Sequence, residues 1–218
     1  MLHKLGIVPL ALLAYAVWGL AGGVDIVPSD LTPLPGTELT LRAEGAPSGA
    51  SLYWDFGGDG IVDLVSQGPE VTYTARAGCQ EVVVQVVQEG VAIDSARLAI
   101  VADERLGAFR IVKGCDPIEV TIIVRAKAHI VAPGIEESIP PGWTMEIIDD
   151  GGAFYKLKSD TLQAVWPLEL WTRCEVSLRY LLYPPAPGAV ARLHGSASAY
   201  AAEGGRIEIR IGGSVIVP

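Results

Sequence analysis

Short runs of Val, Ile, Leu, Thr and Tyr alternate with polar positions along most of the chain, and Gly, Pro, Ser and Asp separate them. Residues 39–42 and 71–74 place an apolar side chain at every second position, which is the period of a strand with one buried face. No stretch after residue 24 keeps the apolar spacing of an amphipathic helix. The pattern therefore predicts an all-β protein.

Two series of short strands are predicted, with the charged Asp103-Glu-Arg segment between them. A proline-rich extended segment, 24–36, precedes the first series, whose strands are 38–43, 51–56, 70–75, 80–88 and 92–101. The second series comprises 109–112, 118–126, 130–138, 144–148, 153–157, 164–168, 175–183, 189–200, 206–211 and 214–217. Many short strands separated by turn residues are typical of a sandwich or barrel. Two domains, 24–103 and 106–218, are expected.

The N-terminus has the layout of a secretory signal peptide. Lys4 carries the early charge, residues 5–20 are apolar, and Gly19 and Ala21 are the small residues expected before a cut after Ala21. An uncleaved membrane anchor is the alternative, because residues 5–24 are about long enough to span a bilayer. No cysteine lies near the cut, so a lipoprotein anchor is not expected. Residues 1–21 thus predict a signal helix and an exported protein.

Charge and cysteine content narrow the function classes. The formal net charge is −9, and loss of residues 1–21 would remove Lys4 but no acid. An acidic exterior keeps an exported protein soluble and argues against a nucleic acid partner. Three cysteines in an oxidising compartment permit one bridge, for which Cys115 and Cys174 are the preferred pair, with Cys79 left over.

The segment Tyr53-Trp-Asp-Phe-Gly-Gly-Asp-Gly combines a strand with a tight turn. Trp54 and Phe56 are two positions apart, so they share one face and fill the space between sheets. Asp55 points the other way, towards the turn. The glycines that follow allow the chain to reverse.

Acidic residues at this turn also suggest a calcium ligand set. Asp55, Asp59 and Asp63 have the spacing of positions 1, 5 and 9 of a calcium loop, with a glycine at position 6. Gly57 and Ser66 occupy positions that a complete loop would fill with ligands. In the alternative interpretation, Asp55 and Asp59 cap backbone N–H groups within a tight turn.

This motif, together with Pro69-Glu-Val-Thr-Tyr and Ala77-Gly-Cys-Gln-Glu-Val-Val-Val-Gln-Val, resembles the polycystic-kidney-disease (PKD) domain family over about residues 30–102. The resemblance implies an immunoglobulin-like β-sandwich with Trp54, Phe56 and Tyr73 in its core. Two residues depart from the family pattern. Gly57 stands where longer variants have Asp, which bears on metal binding, and Gln80 stands where Tyr is usual, which bears on packing.

The second half resembles immunoglobulin-like domains that accompany PKD modules in secreted prokaryotic proteins. The likeness covers about residues 107–218 and rests on Ile135-Glu-Glu-Ser-Ile-Pro-Pro-Gly-Trp-Thr-Met, Asp149-Asp-Gly-Gly-Ala and Val165-Trp-Pro-Leu. Such modules imply extracellular spacers or binding domains. Trp143, Trp166 and Trp171 are either core residues or, if exposed together, a surface on which carbohydrate stacks.

No catalytic set is evident in the sequence. His3, His129 and His194 have no partner nearby in sequence, and the common hydrolase, phosphate-loop and CxxC motifs are absent. The carboxylate pairs Glu136-Glu and Asp149-Asp are adjacent residues, whereas a glycosidase needs two carboxyls across a cleft. We expect no enzymatic activity and no cofactor other than the possible calcium.

Three functions are consistent with these features. The first is a non-enzymatic secreted or cell-surface protein that acts in adhesion, as a structural spacer or as a protein-interaction module. The second is a carbohydrate-binding accessory module of an extracellular hydrolase system, and the third is a hydrolase component without its catalytic domain. The expected partner is an extracellular protein or a glycan, and membrane contact is expected only through the N-terminal segment.

Overall fold

The computed structural model of the protein describes residues 23–217, and every regular element between these limits is a strand. The prediction of an all-β fold is confirmed. The predicted signal segment, residues 1–21, lies outside the described residues. From residue 23 to residue 217, no helix is long and apolar enough to cross a membrane.

The first half of the chain forms a sandwich of three strands facing four. Its strands are β1 Asp25–Pro28, β2 Glu38–Glu44, β3 Ser51–Asp55, β4 Leu64–Ser66, β5 Glu70–Thr74, β6 Gly78–Gln88 and β7 Val91–Ala102. One layer has the order β1-β2-β5, and the opposing layer has the order β7-β6-β3-β4. This is an immunoglobulin-like arrangement. Alternate residues fill its core, among them Leu39 and Leu41 of β2 and Val82 and Val84 of β6.

The second half forms another sandwich. Its strands are β8 Leu106–Lys113, β9 Ile118–Ala126, β10 Ile130–Ser138, β11 Thr144–Asp149, β12 Phe154–Lys158, β13 Thr161–Val165, β14 Glu169–Leu170, β15 Glu175–Tyr183, β16 Ala191–Arg192, β17 His194–Ala201, β18 Arg206–Arg210, β19 Gly212–Ser214 and β20 Ile216–Val217. One layer has the order β11-β15-β9-β8. The other has the order β12-β13-β10-β17-β18, with β14 also paired to β10. Strict alternation in β9 buries every second residue in the second core.

Strand β8 is buried on both faces and belongs to both cores. Leu106 and Ala108 pack in the second core, whereas Phe109 and Ile111 pack in the first. The continuous apolar character of β8 is what a strand covered on both sides requires. The two sandwiches therefore share strand β8, which packs one face in each core.

Strand β19 joins the sheets of the two sandwiches into one. It pairs antiparallel with β7 and parallel with β8, so a nine-stranded sheet runs in the order β11-β15-β9-β8-β19-β7-β6-β3-β4. Residues 103–105, where a domain boundary was expected, form the turn between β7 and β8. Asp103 Oδ1 accepts the N–H groups of Arg105 and Leu106 at 2.8 and 3.0 Å. The sequence did not reveal that one sheet continues past this turn.

Glycine is required at the positions where β19 lies between β7 and β8. Gly213 has φ +91°, and a Cβ there would lie 2.0 Å from the carbonyl oxygen of Arg110. At Gly212, a Cβ would lie 2.9 Å from the carbonyl oxygen of Ala99. Since no side chain fits these approaches, the pair of glycines allows the backbone to insert between β7 and β8.

The proline-rich segment before β2 makes a second set of contacts between the two sandwiches. Lys127 Nζ donates to the carbonyl oxygens of Pro33 and Asp103 at 2.7 and 2.8 Å. Burial lowers the pKa of Lys127, and the carboxylates of Asp30 and Asp103 oppose this shift. Thr32 covers Gly107, where a Cβ would lie 2.7 Å from that of Thr32.

A buried ion pair lies beside β19. Arg110 and Glu137 are both fully buried, and Arg110 Nε and Nη2 donate to Glu137 Oε1 and Oε2 at 2.8 and 2.6 Å. Arg110 Nη1 donates to the carbonyl oxygen of Ser214 at 3.1 Å, and the Tyr180 hydroxyl donates to Glu137 Oε1 at 3.3 Å. Burial raises the pKa of Glu137, while Arg110 and Tyr180 oppose the rise. The guanidinium thus connects β8, β10 and β19.

Removing one member of this pair is expected to destabilise the fold more than removing both. Arg110→Met leaves a buried carboxylate unpaired and should lower the free energy of unfolding by about 3–5 kcal/mol. The double variant Arg110→Met/Glu137→Leu should be more stable than either single variant, since no buried charge remains. Urea unfolding of all four proteins measures this. Additive losses would contradict the prediction.

Candidate functional site

Asp55 organises the turn that follows β3. Its Oδ1 accepts the N–H groups of Gly57, Gly58 and Asp59 at 2.9, 2.6 and 3.3 Å, and its Oδ2 accepts that of Gly60 at 2.7 Å. Desolvation acts to raise the pKa of Asp55, but the four N–H groups together outweigh it and the pKa is lowered. The positive φ values of Gly58 and Gly60, +67° and +85°, let the chain wrap around the carboxylate.

The other two residues of the predicted calcium set also cap the backbone. Asp59 Oδ1 accepts the N–H of Ile61 at 2.9 Å, and Asp63 Oδ2 accepts that of Phe56 at 2.7 Å. Within residues 23–217, no three His, Cys, Asp or Glu side chains are grouped to hold a metal ion. The arrangement is that of the alternative interpretation, in which the carboxylates serve the turn.

The aromatic residues of the motif lie in the first core. Trp54 is fully buried, and its Nε1 donates to Ser66 Oγ at 3.1 Å. Phe56 is partly buried and lies between two rings, with centroid distances of 6.3 Å to Trp54 and 5.2 Å to Tyr73. Gln80, where the family has Tyr, accepts the Tyr73 hydroxyl at 3.5 Å. The aromatic residues of the motif therefore belong to the first core, and its acidic residues cap the turn.

Replacing Asp55 by Asn tests this assignment. We expect the free energy of unfolding at neutral pH to fall by about 2 kcal/mol, because several charge-assisted hydrogen bonds are lost. Asp59→Asn, with one exposed bond, should cost less than about 0.5 kcal/mol. Thermal melts with and without millimolar Ca²⁺ should coincide for the parent protein, and a raised midpoint would restore the calcium hypothesis.

The stabilisation by Asp55 should also depend on pH. Because the folded pKa is lowered, the stabilisation is complete above the unfolded pKa, about 3.9, and is lost as the pH falls through the folded pKa. The stability difference between the parent and Asp55→Asn should therefore shrink below about pH 4. Acid titration of both proteins measures it.

The three tryptophans of the second half do not form one surface. Trp143 is buried, and so is Trp166, whose Nε1 donates to the carbonyl oxygen of Gly151 at 3.1 Å. Trp171 is 61% exposed. It stacks on the His129 ring at a centroid distance of 3.8 Å and an interplanar angle of 11°.

The predicted disulfide is not formed. Cys115 and Cys174 are free, exposed thiols, as is Cys79. Cys115 precedes the first residue of β9, whereas the carbonyl oxygen of Cys174 accepts the N–H of Ala126 at its last residue. A nine-residue strand spans roughly 25–30 Å, far beyond the Cα separation that a disulfide tolerates. Both residues precede strands of one sheet, but at opposite ends of it.

The carboxylate pairs have structural partners. Glu137 faces the interior and binds Arg110, whereas Glu136 on the opposite face accepts Gln163 Nε2 at 2.7 Å. Asp149 Oδ1 accepts the N–H of Gly151 at 3.0 Å, and Asp150 Oδ1 accepts the N–H of Gly152 at 2.8 Å.

A polar cleft of about 660 Å³ lies between the two sandwiches. Among its lining residues are Cys79, Glu81, Glu136, Arg192, His194 and Arg210. Glu81 joins the two walls, since it binds Arg97 of its own sandwich at 2.6 Å and Arg192 of the other. The volume is that of a small-molecule or oligomer-binding groove.

Electrostatics in the cleft suit binding better than nucleophilic chemistry. Partial desolvation raises the pKa of the exposed Cys79 thiol, against the opposing effect of Arg210, so the reactive thiolate is disfavoured. Burial and then the nearby arginines lower the pKa of His194. This cleft could not be predicted from the sequence, because Arg192 and Glu81 are 111 positions apart and meet only in the fold.

No protein-family model matches the sequence, and no curated protein matches it either. Among solved structures, the chain is similar to BcpA, the major pilin subunit of Bacillus cereus, with 11% identity and a TM-score of 0.37 over 89% of this chain and 69% of that chain. It is also similar to a protein from a study of carbohydrate-binding modules of the β-sandwich superfamily, with 14% identity and a TM-score of 0.32 over 89% and 96%. A non-cellulosomal cohesin from Archaeoglobus fulgidus has 11% identity and a TM-score of 0.32 over 49% and 91%. Similarities of this size carry no argument about function.

Proposed function

We propose that the protein is a non-enzymatic secreted or cell-surface protein whose two sandwiches act as a stiff spacer that presents an interaction surface. The nine-stranded sheet that crosses both sandwiches carries this proposal. Two domains joined by a flexible linker move independently by default. Here β19, the shared strand β8 and the contacts of Lys127 hold them in one arrangement.

The first sandwich is proposed to be a PKD-type module. Support comes from the motif itself, in which Trp54 is buried, Phe56 contacts Tyr73, and Asp55 caps the glycine turn. The second sandwich is proposed to be an accessory immunoglobulin-like domain. Both assignments support an extracellular spacer or binding role.

Export is proposed from the signal-like residues 1–21. Surface biotinylation of intact cells that express the complete chain tests it. Labelled protein on the cell surface or in the medium is the expected result, and recovery from the cytosol alone would overturn the proposal.

Stiffness is tested by opening the sheet at β19. Gly213→Ala should lower the free energy of unfolding by about 3 kcal/mol or more, because the new methyl group collides with the β8 backbone and φ is unfavourable. Gly205→Ala is the matched control, since its φ of +89° is similar but nothing lies within 4 Å of its Cβ, and about 1 kcal/mol is expected.

Small-angle X-ray scattering gives the second readout for the same variants. The parent and Gly205→Ala should scatter as one rigid particle, whereas Gly213→Ala should show a larger maximum dimension and a more flexible profile. Identical profiles for all three would mean that β19 is not what fixes the two sandwiches.

Carbohydrate binding is the second candidate, and the exposed Trp171 favours it. The Trp171 indole stacks on the His129 ring, and His129 Nε2 lies 2.9 Å from Glu169 Oε2. A flat apolar ring is therefore held at the surface with polar groups beside it. Such a ring is suited to stack on a sugar.

Affinity for polysaccharides tests this candidate. If Trp171 stacks on sugar, Trp171→Ala should weaken binding by about tenfold or more. Tyr155→Ala, which removes another exposed aromatic of the same sandwich, should leave binding unchanged. No retention of the parent protein on any glycan, or equal retention of both variants, would remove the carbohydrate function.

A further inference from the structure

Each sandwich carries one exposed apolar edge. The first, which we name the β4 edge, follows the capped turn and consists of Ile61, Val62, Leu64 and Val65. The second, the β12 edge, consists of Phe154, Tyr155, Leu157 and the adjoining Val165. In the β12 edge, Phe154 and Val165 share one face of the sheet and Tyr155 and Leu157 share the other, so apolar side chains are exposed on both faces. Exposed apolar surface on an acidic protein marks a place where another molecule binds.

Each edge ends in a strand with one free side. β4 is the terminal strand of the nine-stranded sheet and pairs only with β3. β12 is the terminal strand of its own sheet and pairs only with β13. A terminal strand presents a row of backbone N–H and C=O groups that can pair with another strand.

The side chains of β12 are unusually exposed for a strand of a sandwich. Phe154 is 72% exposed and Leu157 is 54% exposed. Leu157 lies opposite Leu162, which is fully buried, so the two share the inner face of the sheet. An inner-face leucine in contact with solvent shows that the sandwich is not covered at this end.

The charges of the two edges are complementary. Lys156 and Lys158 are exposed on β12, and Asp59 and Asp63 are exposed beside β4. Within residues 23–217, no ion pair engages any of these four side chains. Other acids, Asp150 and Asp160, occupy the turns that flank β12, so the positive charge is confined to the strand itself.

From these observations we infer that the protein assembles head to tail with copies of itself, the β4 edge of one copy docking on the β12 edge of the next. Lysines on an exposed edge discourage indiscriminate strand pairing. A partner edge that carries two aspartates turns the same lysines into attractive contacts. Because the two edges differ, the contact is heterologous and leaves one edge of each terminal copy free, so association continues into an open row of molecules instead of stopping at a closed dimer. The inference does not depend on export or on glycan binding.

Two single-end variants test the inference. Leu157→Glu places an acid on the β12 edge, where it would repel the aspartates of the β4 edge. Val65→Lys places a base on the β4 edge, where it would repel the lysines of β12. Both positions are about half exposed, so the fold should survive, and thermal melts check this. Val91→Lys, on the exposed end of β7, is the matched control because Val91 belongs to neither edge.

The complete chain is expressed for each variant, purified in one detergent-containing buffer and studied by sedimentation velocity up to concentrations on the order of 100 µM, a range suited to weak interfaces. The parent and Val91→Lys should form a concentration-dependent series of oligomers that dissociates as salt is raised. Each single-end variant should be a monomer. A mixture of the two should associate again, because the unaltered β4 edge of Leu157→Glu can dock on the unaltered β12 edge of Val65→Lys.

Three results would overturn the inference. The first is a parent protein that stays monomeric throughout the concentration range. The second is association of both single-end variants as in the parent, which would place the contact elsewhere, including the N-terminal segment. The third is dimerisation of Val65→Lys by itself, which would mean that two β12 edges pair with each other.

Discussion

A guanidinium that is removed from water keeps its charge, so each of its three nitrogen atoms needs an acceptor inside the protein. Arg110 meets this requirement with the carboxylate of Glu137 and the main chain of Ser214. These acceptors come from different strands, and one belongs to the last few residues of the chain. The demand of a single buried cation therefore ties β8 to β10 and to β19, the strand that joins the sheets of the two sandwiches.

The space around this pair is made by residues without side chains. A Cβ at Gly195 would lie 1.9 Å from Glu137 Oε2, and one at Gly213 would overlap the backbone of Arg110. The carboxylate and the inserted strand occupy the volume that those side chains would take. A buried ion pair contributes little to stability by itself, because desolvation offsets most of the attraction. We interpret its contribution as selecting one arrangement of strands over its alternatives.

Much of the fold could be predicted from the sequence because it depends on local alternation. Strands such as β9 and β10 have the predicted limits, and the turn acids at Asp55 and Asp149 cap the glycines that follow them. Strand β4 was missed because its three residues are too few to show a period, and β19 because Gly-Gly-Ser has no apolar pattern at all. Periodicity reports which face of a strand is buried, but it does not report which strand lies beside it.

The candidate site was predicted less completely, for the same physical reason. The capped turn is local and was anticipated as one of two alternatives. The cleft is formed by residues from both sandwiches, and its ion pair between Glu81 and Arg192 exists only when the sheets are in place. The disulfide prediction failed because two cysteines that precede strands of the same sheet lie at its opposite ends.

The position of β19 also has a consequence for how the molecule comes to its final form. Ser214 and its partner Arg110 are 104 positions apart, so the gap between β7 and β8 stays open until residues 212–214 have been made. The long-range contact then forms slowly relative to the local hairpins, since loop closure must precede it. Closure of the sheet would therefore be a late step of folding, and a chain that lacks residues 212–214 could not complete it.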